Sequence, residues 1–197
     1  MKNLIFIMIC LFITNLYSQE KKRKSTPFHT VDLSFSIPNQ TRYDSSLLDP
    51  NGAYLRDYDI ELRKAATYGV TYTYNYPLLN RLYLGVVGGY SNHISPKISN
   101  IKLGGILRYK FIDALNPANF YLLVARNISL NEYFKNGFGN IRVGMSFSVL
   151  DKKNYNLMLA GFWDYSSGET KKPIIDPNEG KGFIFLKSYG ISFGVQF

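Results

Sequence analysis

The chain has 197 residues, 46% of them hydrophobic and 16% aromatic, with a single cysteine and a formal net charge of +9. One cysteine excludes an intrachain disulfide framework and a multi-cysteine metal centre, and the length suits one domain. The basic surplus would suit nucleic acid, a partner that the amino-terminus argues against.

That terminus reads Met1-Lys-Asn, then ten unbroken apolar residues from Leu4 to Ile13, then the more polar Thr14 to Gln19. A charged start, a short apolar core and a polar exit make a secretory signal peptide. The core is too short for a membrane helix, which needs ~20 residues. Residues 1–18 are expected to be removed, with the cut after Ser18. Cys10 does not mark a lipoprotein, because Ile9 before it is bulky and the apolar run continues past it. The mature chain then has no cysteine. Residues 19–29, with Lys21-Lys-Arg-Lys24, form a flexible basic segment, and residues 30–197 the folded domain. Export removes nucleic acid as a partner and leaves anionic lipopolysaccharide, or plain solvated loops, as the match for the charge.

Eight strand-like segments follow. Thr30 to Ile37 puts Val31, Leu33, Phe35 and Ile37 on one face, and a long polar stretch, Asn39 to Lys64, comes next. Ala66 to Tyr76 alternates Tyr68, Val70, Tyr72, Tyr74 and Tyr76 with Gly69, Thr71, Thr73 and Asn75. Arg81 to Asn92 is apolar on both faces, so its facing is open. Asn100 to Phe111 sets Ile101, Leu103, Leu107, Tyr109 and Phe111 against Lys102, Gly104, Arg108 and Lys110. Asn119 to Leu130 is again ambiguous. Phe138 to Val149 sets Ile141, Val143, Met145, Phe147 and Val149 against Asn140, Arg142, Gly144, Ser146 and Ser148. Tyr155 to Ser166 and Leu186 to Phe197 complete the set. Period-two alternation means strands with one apolar and one polar face, and segments of ~10 residues are long enough to cross a bilayer at a tilt.

The connections alternate. Residues 77–80, 112–118 and 150–154 are short, while 38–65, 93–99, 130–137 and 167–184 are generally longer. Outer-membrane barrels have short periplasmic turns and longer external loops, so both termini are expected in the periplasm. Tyr76, Tyr109, Phe111, Tyr121, Tyr155 and Phe197 then form a periplasmic aromatic girdle, and Tyr68, Tyr90, Phe138, Trp163, Tyr165 and Tyr189 an external one. Ordinary strand propensity also enriches these residues.

The last strand, Tyr189-Gly-Ile-Ser-Phe-Gly-Val-Gln-Phe197, alternates strictly and stops on an aromatic carboxy-terminus. It resembles the terminal strand of bacterial outer-membrane β-barrels, which the barrel-insertion machinery reads. The whole pattern is similar to small barrels of the OmpX and OmpA transmembrane-domain type. The resemblance implies an all-β, eight-stranded antiparallel up-and-down transmembrane β-barrel in a Gram-negative outer membrane. Its partners would be outer-membrane lipid, lipopolysaccharide and the insertion machinery. A barrel of that size has an interior just wide enough for side chains, so it is not expected to be an open pore. A soluble lipocalin-like carrier shares the strand count and alternation but turns its apolar face inward. Here the polar face carries Asp32, Lys102, Arg108, Lys110, Arg142 and Asp164, interleaved with Gly69, Gly104, Ser146, Gly190 and Gly194.

Small barrels of this class include enzymes that modify lipid A with His and Ser near the outer rim. Ser91, His93 and Ser95 are spaced by two, which places them on one strand face. Tyr90-Ser-Asn-His-Ile-Ser95 does not match the His-x-Ser-Asn order of the deacylase barrels, and a His at a strand-to-loop junction is the plainer reading. His29 is expected to be structural, with no partner nearby. Asp44, Asp49, Asp57, Asp59 and Glu61 lack the EF-hand spacing of a calcium loop and are interspersed with Arg56, Arg63 and Lys64. No P-loop, dinucleotide fingerprint or catalytic triad occurs. No catalytic, cofactor-binding or metal-ligating residue is therefore assigned, and the expected role is structural or surface-interacting, carried by the loops.

Overall fold

The computed structural model describes residues 26–94, 97–112, 118–131, 138–171, 175–176, 178–180 and 182–197. The expected signal peptide, Lys21 to Lys24, Ser95 and the side chain of Phe138 lie outside these residues. The described chain forms β1 (Phe28–Leu48), β2 (Tyr54–Glu61), β3 (Thr67–Pro77), β4 (Leu82–His93), β5 (Ile98–Ile112), β6 (Ala118–Ser129), β7 (Phe138–Asp151), β8 (Asn156–Glu169) and β9 (Phe183–Gln196). All neighbours pair antiparallel, in the order β1, β3 to β9, and β9 pairs back onto β1. Eight strands thus close an up-and-down barrel, with no free edge around the wall.

β2 is a ninth strand outside the ring, and it corrects the expected polar loop over Asn39 to Lys64. β1 does not stop at Ile37. It begins with Phe28 and His29, taken above as tail, and runs to Leu48, where β2 folds back along Arg42 to Leu48. Pro38 lacks an N–H and sits where a ladder can spare one, at a register shift between Pro38 and Gln40. Before the shift, Phe28, Thr30 and Ser36 face inward, and after it Thr41, Tyr43 and Ser45 do. The hairpin turn is built by Asp49, whose Oδ1 accepts from the backbone N–H of Asn51 (2.9 Å) and Ala53 (2.7 Å), and by Gly52 at φ 82°. Charge hid this hairpin in the sequence. The β2 half is exposed on both sides, so alternation is weak there, and Arg42 bridges Asp44 (2.6 Å) and Asp59 (2.8 Å) from adjacent strands.

Facing separates this barrel from a lipocalin. The apolar alternation points outward: Leu33, Val86 and Phe193 are 60%, 63% and 61% exposed, among a belt of exposed Leu, Val, Ile, Phe and Tyr around the wall. The polar positions point inward, as Lys102, Arg108, Arg142 and Asp164 are buried. A wall that is apolar outside and polar inside is stable in lipid rather than in water. The girdles largely hold, since Tyr76, Phe111, Tyr155 and Phe197 are exposed near the end with the termini and Tyr68, Tyr90 and Tyr189 near the loop end. Tyr121 is the correction. It is 5% exposed and faces the lumen, not lipid. Connection lengths alternate less cleanly than expected, because residues 94–97 at the loop end are as short as 78–81 at the termini end.

Candidate functional site

The interior is organised in levels. At the termini end, Lys110 lies over the rings of Phe28 (4.9 Å) and Tyr83 (4.6 Å). Above it Arg108 donates to Asn75 Oδ1 (3.1 Å), Asn119 Oδ1 (3.3 Å) and Thr30 Oγ1 (3.5 Å), and stacks on Tyr121 at 5.2 Å. Thr30 in turn donates to Asp32 (2.8 Å). These residues come from β1, β3, β5 and β6, so one guanidinium ties several walls of the barrel together. A neutral apolar layer follows, made of Val87, Ile106, Leu123, Ala125, Ala160 and Phe162 with the ring of Tyr121. That layer explains why the third and fifth sequence segments were unreadable. β4 and β6 put apolar residues on the lipid side and on this inner layer as well, so neither face is polar in their middles.

Above the layer, Arg142 on β7 pairs with Asp164 on β8 at 2.6 Å and stacks on Phe162 at 3.9 Å. Asn140 donates to Asp164 as well, and to Ser166 Oγ at 2.9 Å. Two glycines on β9 make room for these contents. A Cβ at Gly190 would meet the Phe162 ring, and one at Gly194 would meet the Asp32 carboxylate. The interior encloses a cavity of about 20 Å³ beside Asp32 and Arg108 and another of about 40 Å³ beside Lys102 and His93. By the volume a water needs, these hold about one and three water-sized bodies.

At the loop end, Tyr43, Ile98 and Ile184 pack together with Leu62 and Leu186 across the mouth. The Tyr43 hydroxyl donates to Glu179 Oε2 (2.7 Å), while Glu179 Oε1 accepts from the backbone N–H of Asp176 (2.8 Å) and Ile175 (3.2 Å). Gly180 N donates to Ser46 O (2.8 Å) and Leu48 N to Asn178 O (3.0 Å), so the β8–β9 connection is laced to the hairpin. Burial, and then the bond to Glu179, push the Tyr43 hydroxyl up from its ordinary value.

His93 and Ser91 share the inward face of β4, as spacing by two requires. His93 is buried and its Nδ1 is bonded to the Thr67 hydroxyl across the β3–β4 pair. It therefore looks into the barrel and away from the lipid-facing surface. His29 does have partners, contrary to expectation. Its Nδ1 meets the Tyr72 hydroxyl at 2.5 Å, and its ring stacks on Phe197 at 5.5 Å and 10°. Of the acidic residues of the hairpin, Asp44 and Asp59 stand opposite each other and share Arg42. No group of three His, Cys, Asp or Glu among the described residues is placed to hold a metal.

No protein-family model matches the chain, and no curated protein matches it in sequence. Solved structures match its shape. The outer membrane protein OprG from Pseudomonas aeruginosa is similar over 88% of this chain and 97% of its own, at 14% identity and a TM-score of 0.52. Outer membrane protein AlkL is similar over 91% and 95%, at 11% identity and a TM-score of 0.38. An outer membrane channel from Pseudomonas putida F1 is similar over 90% and 98%, at 10% identity and a TM-score of 0.33. The likeness to OprG is one of fold.

Proposed function

We propose that the chain is an integral outer-membrane barrel of a Gram-negative bacterium, of the small OmpX/OmpA-like kind, with a structural or surface-interaction role. In this reading the signal peptide is removed, both termini lie in the periplasm, and the β1–β2 hairpin with the β8–β9 connection faces outward. The lumen is closed by side chains and is not an open pore. One observation carries the reading. The wall is apolar outside, while its inside is filled at successive levels by Arg108, the Phe162 layer, Arg142–Asp164 and the Tyr43 cluster. What remains for interaction is the projecting hairpin, whose Tyr54 and Leu55 are exposed beside alternating charges.

Catalysis on lipid A is not part of this proposal. An acyl hydrolase or transferase needs its base and nucleophile at the lipid boundary, and His93 is turned inward onto Thr67. Purified barrel in planar bilayers tests the closed lumen. The expected result is no steady conductance above the bare bilayer. Reproducible single-channel steps in the intact chain would replace this reading with a pore.

A further inference from the structure

The lipid-facing wall ends at one level on three adjacent strands. Toward the loop end, the outward positions are apolar, aromatic or glycine on β9 from Val195 to Tyr189, on β1 from Val31 to Ile37 and on β8 from Leu157 to Trp163. The register joins these ends, since Tyr189 stands opposite both Ile37 and Trp163. The next outward residue is polar on each strand, with Lys187 opposite Gln40 and Tyr165. The chain from Phe197 to Lys187 rises about 25 Å at ~3.3 Å per residue and a tilt of ~40°. An outer-membrane barrel has an apolar band ~25 Å tall, so Lys187 stands at headgroup depth.

Lys187 is exposed and makes neither an ion pair nor a hydrogen bond with any described residue. The Gln40 amide and the Tyr165 hydroxyl on its two flanks are likewise uncommitted among the described residues. Arg42, the next outward residue of β1, already bridges Asp44 (2.6 Å) and Asp59 (2.8 Å), so these hairpin carboxylates are engaged there. Side chains directly opposite across a strand pair lie ~5 Å apart at Cβ, close enough to reach one common group. The three offer an ammonium with three donors, an amide with two and a hydroxyl with one. That set matches the oxygens of a phosphate. On the membrane side, Ile37, Tyr189 and Trp163 present a face for acyl chains, with Trp163 stacked on Tyr165 at 6.2 Å.

We propose that Lys187, Gln40 and Tyr165 hold the phosphate of an anionic lipid in the outer leaflet, whose acyl chains lie along Ile37, Tyr189 and Trp163. Such a site exists only if the barrel stands in the outer membrane with its loop end outward, as proposed above. A zwitterionic headgroup carries its own cation beside the phosphate, so an anionic headgroup gains more from Lys187.

Trp163 is the single tryptophan of the chain, and its fluorescence reports on this site. The full barrel is refolded into phosphatidylcholine vesicles with a minor share of phosphatidylglycerol. In matched vesicles either the phosphatidylglycerol or an equal share of the phosphatidylcholine carries bromine on its acyl chains. Wild type is expected to be quenched more by the brominated phosphatidylglycerol, with the excess falling at high salt. Lys187→Gln is expected to abolish the excess. Lys153→Gln removes the same charge from the exposed turn at the termini end and is expected to keep it. Gln40→Leu with Tyr165→Phe keeps the charge, removes the flanking donors and is expected to reduce the excess, which decides the matter if Lys187→Gln does not refold. Equal quenching by the two lipids in wild type, an excess unchanged in either site variant, or one lost in Lys153→Gln as well overturns the lipid site alone. No quenching by either lipid would mean that the wall is not in the bilayer, and would overturn the membrane reading together with the site.

Discussion

Arg142 and Asp164 are the residues on which the interior depends most. Each is buried, and the two form an ion pair at 2.6 Å. Breaking such a pair leaves an uncompensated buried charge and costs about 3–5 kcal/mol, whereas replacing both partners with apolar residues is often near neutral. Asp164→Asn is therefore expected to lower the unfolding free energy of the refolded barrel, read from urea titration, by that order, and Arg142→Met with Asp164→Leu to recover most of the loss. Equal loss in single and double variants would mean the pair contributes packing and not charge balance. His93 belongs to the same scale. His93→Ala is expected to leave lipid A acylation unchanged in mass spectra of cells expressing it. An acyl-chain difference present with wild type and absent in His93→Ala would promote the enzyme.

Strands carry the next set of consequences, beginning with the seam between β1 and β9. Phe197 exchanges backbone hydrogen bonds with His29 in both directions (2.8 and 3.1 Å) and stacks on its ring. Phe197→Asp costs roughly 0–1 kcal/mol as a charge near an interface, too little to abolish folding by itself. Strong loss of assembly in cells with normal refolding in detergent is the expected outcome, and it locates the effect in recognition of the terminus. Normal assembly in cells would remove that role. At the other end, Tyr43 holds its proton more tightly folded than unfolded. Its contribution to the hairpin contact is full below the ordinary tyrosine value near 10 and fades as pH rises through the higher folded value. The ultraviolet titration difference between wild type and Tyr43→Phe should show one tyrosine ionising late, and Glu179→Gln should bring it earlier.

Elements also differ in how legible they were. β3, β5, β7 and the terminal strand alternate cleanly because one face meets lipid and the other polar contents, so facing and near-correct bounds follow from period two. β4 and β6 hid their facing because the inner apolar layer makes both faces greasy. β2 hid altogether, since its described side chains are exposed apart from the half-buried Ile60, and no buried face patterns the strand. Of the interior site, the residue types were legible and the pairings were not. Arg142 meets Asp164 only through the β7–β8 register, where the two stand directly opposite.

At the scale of the whole molecule, the wall supplies stability and the loop end supplies variation, since loops on a rigid scaffold tolerate change. Replacing the hairpin tip within residues 44–61 by a short Gly-Ser linker is expected to keep the barrel folded and to remove the surface interaction. The ring of pairings that closes β9 onto β1 does not pass through β2. A ring closed in this way, apolar outside and polar inside, is expected to sit in the outer membrane as a closed barrel. Separated membranes from cells expressing the chain, run on gels with and without boiling, test it most directly. The protein is expected in the outer-membrane fraction, with a fast-migrating form that shifts on boiling. Release into the soluble fraction by osmotic shock, with no heat-dependent shift, would contradict it.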